Sequence, residues 1–326
     1  MIVNYIKRPA NLVSAGFSYL RSYLYPFTGI YGMPVTISVE ITNHCNLSCP
    51  ECFSGSGRMT RDRGYMDILL FEKIVGELKP YLYKMSLYFQ GESMLHPKFP
   101  LFLDKSRDIS TILATNGHFL SPVNAEMLAL SGLNKLIVSL DGMEQDIYSA
   151  YRINGNVNVV MNGIRNVSEA IKKNSSSLRL VIQFLVNRQN EHQIPMARHF
   201  AREMNASLKL KSMQILNEDA FEKWLPSKKK FRRYELKDNK YRTVSRLRDN
   251  CARMWFNPVI TWDGKVIPCC FDKDAGHILG DINEDSFRKV WTGERYAMFR
   301  KGILNGRKIT EICRNCTSGL SWKISR

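Results

Sequence analysis

The sequence predicts an α/β fold, namely an open, partial (β/α)6 barrel that is followed by a small C-terminal module. Six apolar strand candidates lie between residues 35 and 211, and helical patterns alternate with them. Such alternation gives a parallel sheet with right-handed crossovers. The separate module is indicated by the cysteines, because five of the eight lie beyond residue 250.

The composition is that of a folded protein with a basic surface. Of the 326 residues, 44% are hydrophobic and 24% are charged, which excludes a disordered chain. No apolar run approaches the 18 residues of a membrane span, and we recognise no signal peptide. The net charge of +17 favours an anionic partner. Sparse, clustered cysteines suit a cytoplasmic metal or redox protein better than a disulfide framework.

The first 33 residues are predicted to form a leader with one helix. Its apolar residues recur with helical spacing at Val13, Phe17, Leu20 and Leu24, and Pro26 ends the pattern. We expect this stripe to pack on the domain, as such stripes usually do. The alternative is a peripheral contact of residues 10–25 with the inner membrane surface, aided by the nearby side chains of Lys7, Tyr19, Arg21 and Tyr23.

Residues 34–215 are predicted to form the barrel. The six strand candidates are Val35–Thr42, Lys84–Phe89, Thr111–Thr115, Lys135–Leu140, Leu178–Val186 and Ser207–Lys211. Among the helices between them, one has Ser121 at its N-cap, Pro122 in the first turn and Gly132 past its end. Apolar stripes over 160–171 and 194–204 predict two more. In barrels of this kind the chemistry lies at the C-terminal ends of the strands.

Three cysteines follow the first predicted strand, in the pattern Cys45-x3-Cys49-x2-Cys52. A closed zinc site needs four ligands. Three local thiolates without a local fourth suit a 4Fe-4S cluster with one open iron, which could bind a substrate or cofactor. The alternative is a zinc site that is completed by His44 or by a distant cysteine.

Residues 216–250 are predicted to be a basic linker. The overlapping stretch 223–253 holds 12 Lys and Arg against three Asp and Glu, a net charge of 12 − 3 = +9. Such a run is usually a solvated face, and the alternative is contact with an anionic substrate or a nucleic acid. Because no RNA-recognition motif appears and the aromatic residues show no stacking pattern, we expect no nucleic-acid partner.

The C-terminal domain, residues 251–326, contains a second cysteine pattern. Cys251-x12-Gly264-x4-Cys269 is followed by Cys313-x2-Cys316, and Asp263-Gly264 predicts a two-residue β-hairpin loop. Four thiolates could hold a 4Fe-4S cluster or structural zinc. Cys270 is not part of this four-cysteine pattern. Three interpretations stay open for it: a small buried side chain, a reactive thiol, or an alternative ligand in place of Cys269.

The two cysteine patterns together resemble those of a known enzyme family. The first resembles the radical S-adenosylmethionine (radical SAM) enzymes, and the second resembles the SPASM/twitch extension of some members. The resemblance implies that one 4Fe-4S cluster binds SAM through its open iron and that a single auxiliary 4Fe-4S cluster is present. Their implied ligands are Cys45, Cys49 and Cys52 for the first cluster and Cys251, Cys269, Cys313 and Cys316 for the second.

The resemblance also implies roles for residues at the strand ends. Gln90-Gly91-Glu92-Ser93 stands where the family has Gly-Gly-Glu-Pro, so Glu92 would accept hydrogen bonds from the SAM amino group. Ser139 and Arg152 would bind the SAM carboxylate. Asn116, in the segment Thr115-Asn116-Gly117, would lie near the cofactor.

The implied activity is reductive cleavage of SAM to a 5′-deoxyadenosyl radical. The radical would abstract hydrogen from a peptide or protein, giving oxidation, crosslinking or epimerisation, and a flavodoxin or ferredoxin would supply the electron. In an epimerisation, Cys270 would be catalytic and would return a hydrogen atom to the substrate. One alternative is a dehydrogenase or epimerase of a small polyol, amino sugar or nucleotide sugar. A remote one is an RNA-binding protein with structural iron–sulfur clusters.

Overall fold

The computed structural model describes residues 2–24, 29–245 and 247–316, with side chains from residue 7 onward. Its strands are β1 (Thr36–Val39), β2 (Lys84–Ser86), β3 (Ser110–Thr115), β4 (Lys135–Ser139), β5 (Arg179–Val186), β6 (Ser207–Ser212), β7 (Tyr234–Lys237), β8 (Lys240–Thr243), β9 (Val259–Ile260), β10 (Lys265–Ile267) and β11 (Gly280–Asp281). Its α-helices are α1 (Ile2–Leu24), α2 (Ile68–Leu78), α3 (Phe99–Lys105), α4 (Pro122–Leu130), α5 (Gln145–Tyr151), α6 (Val157–Lys173), α7 (Ile194–Glu203), α8 (Phe221–Trp224), α9 (Arg253–Phe256), α10 (Phe287–Thr292), α11 (Glu294–Gly306) and α12 (Glu311–Arg314).

The described chain divides into two compact units. The first comprises the described residues of 2–44, 59–111 and 247–316, and the second comprises 45–58 and 112–245. In the first unit β1 pairs in parallel with β2 on one side and with β9 on the other. The antiparallel strands β10 and β11 continue the sheet beyond β9. The C-terminal hairpin therefore extends the sheet that contains the first strand.

The hairpin between β9 and β10 was predicted, but its loop is longer than expected. The register pairs Ile260 with Val266, and residues 262–264 form the connection. Gly264 has φ +86, which is the left-handed conformation that three-residue loops require at this position. The loop therefore has three residues rather than two.

In the second unit β3, β4, β5 and β6 lie side by side in chain order, and every pair is parallel. Helices alternate with these strands, which confirms the predicted α/β class with a parallel sheet. The register places Thr115 opposite Val138 and Ser139 opposite Gln183. As a result, the C-terminal ends of β3, β4 and β5 meet at one edge of the sheet.

Local sequence signals placed the helices of this unit correctly. Ser121 caps α4 by accepting a hydrogen bond from the Asn124 amide at 3.3 Å, and Pro122 occupies the first turn. On α6 the residues Val160, Ile164 and Val167 are fully buried, as the apolar stripe predicted. Each such side chain contributes roughly 1.5–3 kcal/mol through burial.

Helix α1 packs with the face opposite to the one we expected. The predicted stripe faces solvent: Val13, Phe17, Leu20 and Leu24 are 56–77% exposed. The buried face of the helix instead contains Asn11 and the small residues Ala15, Ser18 and Ser22. Asn11 forms hydrogen bonds of 2.7 and 3.0 Å with the backbone of Met33. The expectation that the stripe packs on the domain is therefore wrong. No helix in the described ranges is both long and apolar enough to cross a membrane.

The basic stretch contains more structure than the sequence indicated. Strands β7 and β8 form an antiparallel hairpin, and its turn residues Asp238 and Asn239 both have positive φ. Such a turn matches the twist of the two strands, and Asp and Asn tolerate the conformation. Trp224 and Tyr234 are buried, whereas Lys228, Lys229 and Lys230 are exposed. These three lysines therefore lie on the outside of an aromatic cluster, whereas Arg233 of the same stretch is buried.

Candidate cofactor sites

The loop with the first three cysteines lies in the second unit. Cys49 is 4% exposed, and Cys45 and Cys52 are half-buried against a cluster that includes Tyr151 and Trp224. The Cys52 amide donates to the Cys49 carbonyl at 3.2 Å, so the loop turns tightly. Burial raises the pKa of the Cys49 thiol to about 11. Metal binding therefore has to displace a proton at neutral pH.

Arg152 lies beside this loop and is held by a carboxylate that the sequence analysis missed. Its Nε and Nη2 both lie 2.6 Å from Oδ2 of the fully buried Asp141, and its Nη1 lies 3.8 Å from Cys49 Sγ. Asp141 also accepts a hydrogen bond from the Leu185 amide at 2.6 Å. Burial opposes the charged form of Arg152, but Asp141 and Cys49 hold its pKa above the usual value. A fixed positive charge thus stands next to the cysteine loop.

Asn116 and Ser139 occupy the ends of neighbouring strands in the same unit. Asn116 is 6% exposed, and its Nδ2 donates to Oδ1 of Asn46 in the cysteine loop at 2.7 Å. Its Oδ1 accepts a hydrogen bond from the His118 amide. Ser139 is the last residue of β4 and is half-buried. The structure thus brings Asn116 and Arg152 to the cysteine loop, and it places Ser139 at the adjoining strand end.

Glu51 connects the cysteine loop to the chain beyond β6. Its side chain is largely buried, and Oε2 accepts hydrogen bonds from the amides of Leu216 and Asn217 at 2.5 and 3.3 Å. These partners are separated from Glu51 by 165 and 166 residues along the chain. The position before the third cysteine therefore has a structural role, which local sequence patterns do not reveal.

Glu92 lies in the first unit, in a turn that depends on glycine. Gly91 has φ +78, and a Cβ there would come within 2.7 Å of the Asn43 backbone. The Glu92 amide donates to the His44 carbonyl at 2.7 Å, and the side chain is almost fully buried. Its Oε1 accepts a hydrogen bond from the Met94 amide at 3.2 Å. Local contacts thus fix a buried carboxylate next to the residue that precedes Cys45 in the sequence.

A buried ion pair supports this turn and was not predicted. Glu40 is fully buried, and its two oxygens each lie 2.6 Å from the Arg61 guanidinium. The same carboxylate accepts hydrogen bonds from the amides of Gln90 and Trp262. Burial raises the pKa of Glu40, and Arg61 opposes the rise. Glu40 thus joins four segments of the first unit, including the one that carries Glu92.

The C-terminal cysteines form a second group within the first unit. Cys251, Cys269, Cys313 and Cys316 are each 2–6% exposed. Three of them belong to an apolar cluster with Met254, Trp255 and Ile303, and Tyr19 of α1 packs against it. Burial raises the pKa of the Cys313 thiol to about 11, while Arg307 lowers it. These cysteines are the predicted auxiliary ligands.

Cys270 differs from its neighbour Cys269 in exposure and in partner. It is half-buried, and Arg253 Nη1 donates to its Sγ at 3.4 Å. The Tyr88 phenol is close enough for Cys270 to raise its pKa, although burial is the larger cause. Cys270 therefore stands among polar groups rather than in the apolar core.

The donor sets fit clusters in their chemistry and burial. Among the described residues, no three His, Cys, Asp or Glu side chains converge as ligands of one metal ion would. Ligands of a 4Fe-4S cluster bind separate iron atoms and need not converge on one point. All of the donors are thiols, the ligand type that iron–sulfur clusters use. The residues present therefore fit a cluster at each site.

Family comparison identifies the chain. The model of the radical SAM superfamily matches residues 39–201, which is half of its length. This chain belongs to the radical SAM superfamily. The model of SPASM, an iron-sulfur cluster-binding domain, matches residues 251–317. Both predicted resemblances are confirmed. The protein is a radical SAM enzyme of the modifying type, and its two domains imply 4Fe-4S clusters and bound SAM.

Individual relatives are distant. The tungsten-containing aldehyde ferredoxin oxidoreductase cofactor-modifying protein of Pyrococcus furiosus is 23% identical over 303 residues, which cover 80% of this radical SAM chain and 82% of the relative. The structure of BtrN in complex with AdoMet and 2-DOIA aligns with a TM-score of 0.56 and 18% identity over 91% of this chain and all of BtrN. Streptococcus suis SuiB bound to S-adenosylmethionine aligns with a TM-score of 0.65 and 14% identity over 87% of this chain and 72% of SuiB. At these identities the similarity supports the partial-barrel fold and does not identify a substrate.

Proposed function

We propose that this radical SAM enzyme modifies a peptide or protein by hydrogen abstraction, with one SAM-binding cluster and one auxiliary cluster. The bound cofactors would supply a 5′-deoxyadenosyl radical through one-electron cleavage of SAM. The observation that carries the proposal is the cysteine loop with the Arg152–Asp141 pair beside it. A flavodoxin-type or ferredoxin-type donor would supply the electron.

The side chains around the first site have distinct proposed roles. Cys45, Cys49 and Cys52 would hold the cluster, and Arg152 would attract the SAM carboxylate in an orientation that Asp141 fixes. Ser139 would assist Arg152. Glu92 would accept hydrogen bonds from the amino group, and its burial keeps it from reorienting.

Asn116 would position the loop through its hydrogen bond with Asn46. The apolar cluster behind the cysteines, which includes Tyr151 and Trp224, would exclude water on that side. Exclusion of water protects reactive species from side reactions.

The substrate class rests on charge and on a structural relative. Residues 223–253 carry a net charge of +9, and their lysines at 228–230 are exposed, which suits an acidic peptide. SuiB, which shares the fold, also has a structure with its precursor peptide SuiA bound. The expected outcome on the peptide is oxidation, crosslinking or epimerisation.

A second candidate is a dehydrogenase or epimerase of a small polyol, amino sugar or nucleotide sugar. It is favoured by the alignment with the whole length of BtrN, whose structure contains 2-DOIA. The basic stretch would equally suit a phosphorylated or nucleotide-linked substrate. In this case, too, the auxiliary cluster would be bound by Cys251, Cys269, Cys313 and Cys316.

The proposal predicts that SAM is cleaved under reducing conditions. The anaerobically reconstituted protein, reduced by flavodoxin or dithionite, should release methionine and 5′-deoxyadenosine in equal amounts, measured by mass spectrometry. An acidic peptide with deuterium at its α-carbons should transfer the label to 5′-deoxyadenosine, whereas transfer only from a labelled cyclitol would favour the second candidate. No 5′-deoxyadenosine together with tight, salt-dependent RNA binding would support the remote RNA-binding alternative instead.

The same assay defines the role of Cys270. If Cys270 returns a hydrogen atom during epimerisation, Cys270→Ala should still form 5′-deoxyadenosine but should not place solvent deuterium on the epimerised carbon. Normal turnover and labelling by Cys270→Ala would exclude this role. The variant leaves the four proposed auxiliary ligands in place, so its iron content should equal that of the unmodified protein.

We also propose that α1 contacts an anionic membrane surface. The exposed residues Val13, Phe17, Leu20 and Leu24 form an apolar face, and no acidic residue precedes Glu40 in the sequence. Lys7 and Arg21 are exposed on the same helix and add positive charge. Apolar area combined with attraction to anionic lipids drives the binding of such helices.

This surface contact is tested by sedimentation with vesicles. Phe17→Glu/Leu20→Glu should lose most of its binding to vesicles that contain phosphatidylserine, because the change removes apolar area and repels the lipid. Val123→Glu changes an exposed apolar residue on α4, outside the proposed contact, and should bind normally. Unchanged vesicle binding by the double variant would contradict the proposal. A dimer of the unmodified protein that the double variant dissociates would also contradict it, because the apolar face would then be covered by a second copy of the chain.

A further inference from the structure

Arg307 is a buried cation that faces the auxiliary cysteines. The residue is 2% exposed, and its Nη2 donates to Cys316 Sγ at 3.3 Å. The guanidinium is also close enough to the thiols of Cys313 and Cys251 for an electrostatic interaction. One side chain thus contacts or approaches three of the four proposed ligands.

The charge of Arg307 has no carboxylate partner. Among the described residues, no Asp or Glu oxygen forms a salt bridge with its guanidinium, and its buried Nε has no hydrogen-bond partner. Asp249 accepts a hydrogen bond from the Arg307 backbone amide instead. A buried charge is costly unless it is paired. Neutral thiols do not compensate Arg307, whereas four thiolates on a cluster would.

The apolar surroundings strengthen the interaction between the Arg307 guanidinium and the auxiliary cysteines. Trp255 belongs to the apolar cluster that holds Cys251, Cys269 and Cys313, and Tyr19 of α1 packs against this cluster with its ring centroid 5.6 Å from that of Trp255. Water is therefore largely excluded, and charges interact more strongly in such an environment. Arg253 is a second cation of this region. It donates to Cys270 at 3.4 Å, and it is close enough to Cys269, Cys316 and Cys251 to add to the positive charge around the proposed ligands.

We propose that Arg307 raises the reduction potential of the auxiliary cluster and makes it a better electron acceptor. This inference rests on the auxiliary cluster of the proposed function. Reduction adds negative charge to the cluster, and an adjacent cation that donates an N–H···S hydrogen bond to a ligand sulfur stabilises that charge. Arg307 is thus a positioning residue that tunes the cluster without binding iron.

The test is a redox titration followed by electron paramagnetic resonance. It uses the full chain with Cys45, Cys49 and Cys52 replaced by alanine, so that only the auxiliary cluster gives a signal. Arg307→Gln should lower the midpoint potential, and Arg307→Lys should lower it less, because an ammonium retains the charge but loses the paired donors. Arg314→Gln removes an exposed charge one residue from Cys313 and should leave the potential unchanged.

Each outcome of this titration has a defined meaning. An unchanged potential in Arg307→Gln, or equal shifts in Arg307→Gln and Arg314→Gln, would overturn the inference. If Arg307→Gln loses its iron, the midpoint potential of Arg307→Lys becomes the test. A potential in Arg307→Lys equal to that of the protein with Arg307 intact would then overturn the inference. The absence of iron in the triple-cysteine protein with Arg307 intact would contradict the proposed auxiliary cluster itself, which is a separate failure.

Discussion

Replacement of Cys45, Cys49 and Cys52 together by alanine is expected to abolish SAM cleavage and to leave the rest of the protein folded. The three thiols are the proposed ligands of the SAM-binding cluster, and their loop contains no regular secondary structure. Formation of 5′-deoxyadenosine should fall to background. Two 4Fe-4S clusters need about eight irons per chain, so the variant should retain about four.

The matched control replaces Cys270, which is not a proposed ligand of either cluster. Cys270→Ala should keep about eight irons and should cleave SAM normally. Residual SAM cleavage by the triple variant would contradict the assignment of the first site. About eight irons in that variant would show that its ligands lie elsewhere, and four irons with one zinc in the unmodified protein would make the C-terminal site structural.

Local chemistry explains why much of the fold could be predicted. The cap at Ser121 with Pro122 after it, and the buried stripe Val160, Ile164 and Val167, depend on residues within a few turns of each other. The cysteine spacings are equally local. The face on which helix α1 packs could not be predicted in this way, because Asn11 binds the backbone of Met33, 22 residues away, and thereby turns the apolar stripe outward.

The supporting residues of the site escaped prediction for the same reason. Glu51 reaches an amide 165 residues away, and Glu40 holds Arg61 together with amides from two distant segments. Nothing near these residues in the sequence indicates such partners. Asp141 is an exception, since it lies in the segment that follows Ser139, and a strand-end carboxylate 11 residues before an arginine could have been considered. Candidate ligands can therefore be proposed from the sequence, whereas most of the residues that orient them cannot.

Replacement of Glu40 by alanine is expected to cause the largest loss of stability. The change leaves Arg61, whose side chain is 14% exposed, without its counter-charge, and it removes an acceptor from the amides of Gln90 and Trp262. Breaking a buried pair by removing one partner costs about 3–5 kcal/mol. The pair itself adds little net stability, because desolvation of the carboxylate offsets its attraction to Arg61. The role of the Glu40–Arg61 pair is to hold together the segments that meet at Glu40.

Urea unfolding of the anaerobic holoenzyme measures this loss through the midpoint at a constant m-value. Glu126→Ala is the matched control, since it breaks the exposed pair with Lys173 and should leave the urea midpoint almost unchanged. Glu40→Gln keeps acceptors for the two amides but not the charge, so its stability should lie between those of Glu40→Ala and the unmodified protein. Because Gln90 begins the turn that holds Glu92, Glu40→Ala should also bind SAM more weakly than Glu126→Ala. Equal stability of the two alanine variants would show that Arg61 finds another partner and that the pair does not organise this turn.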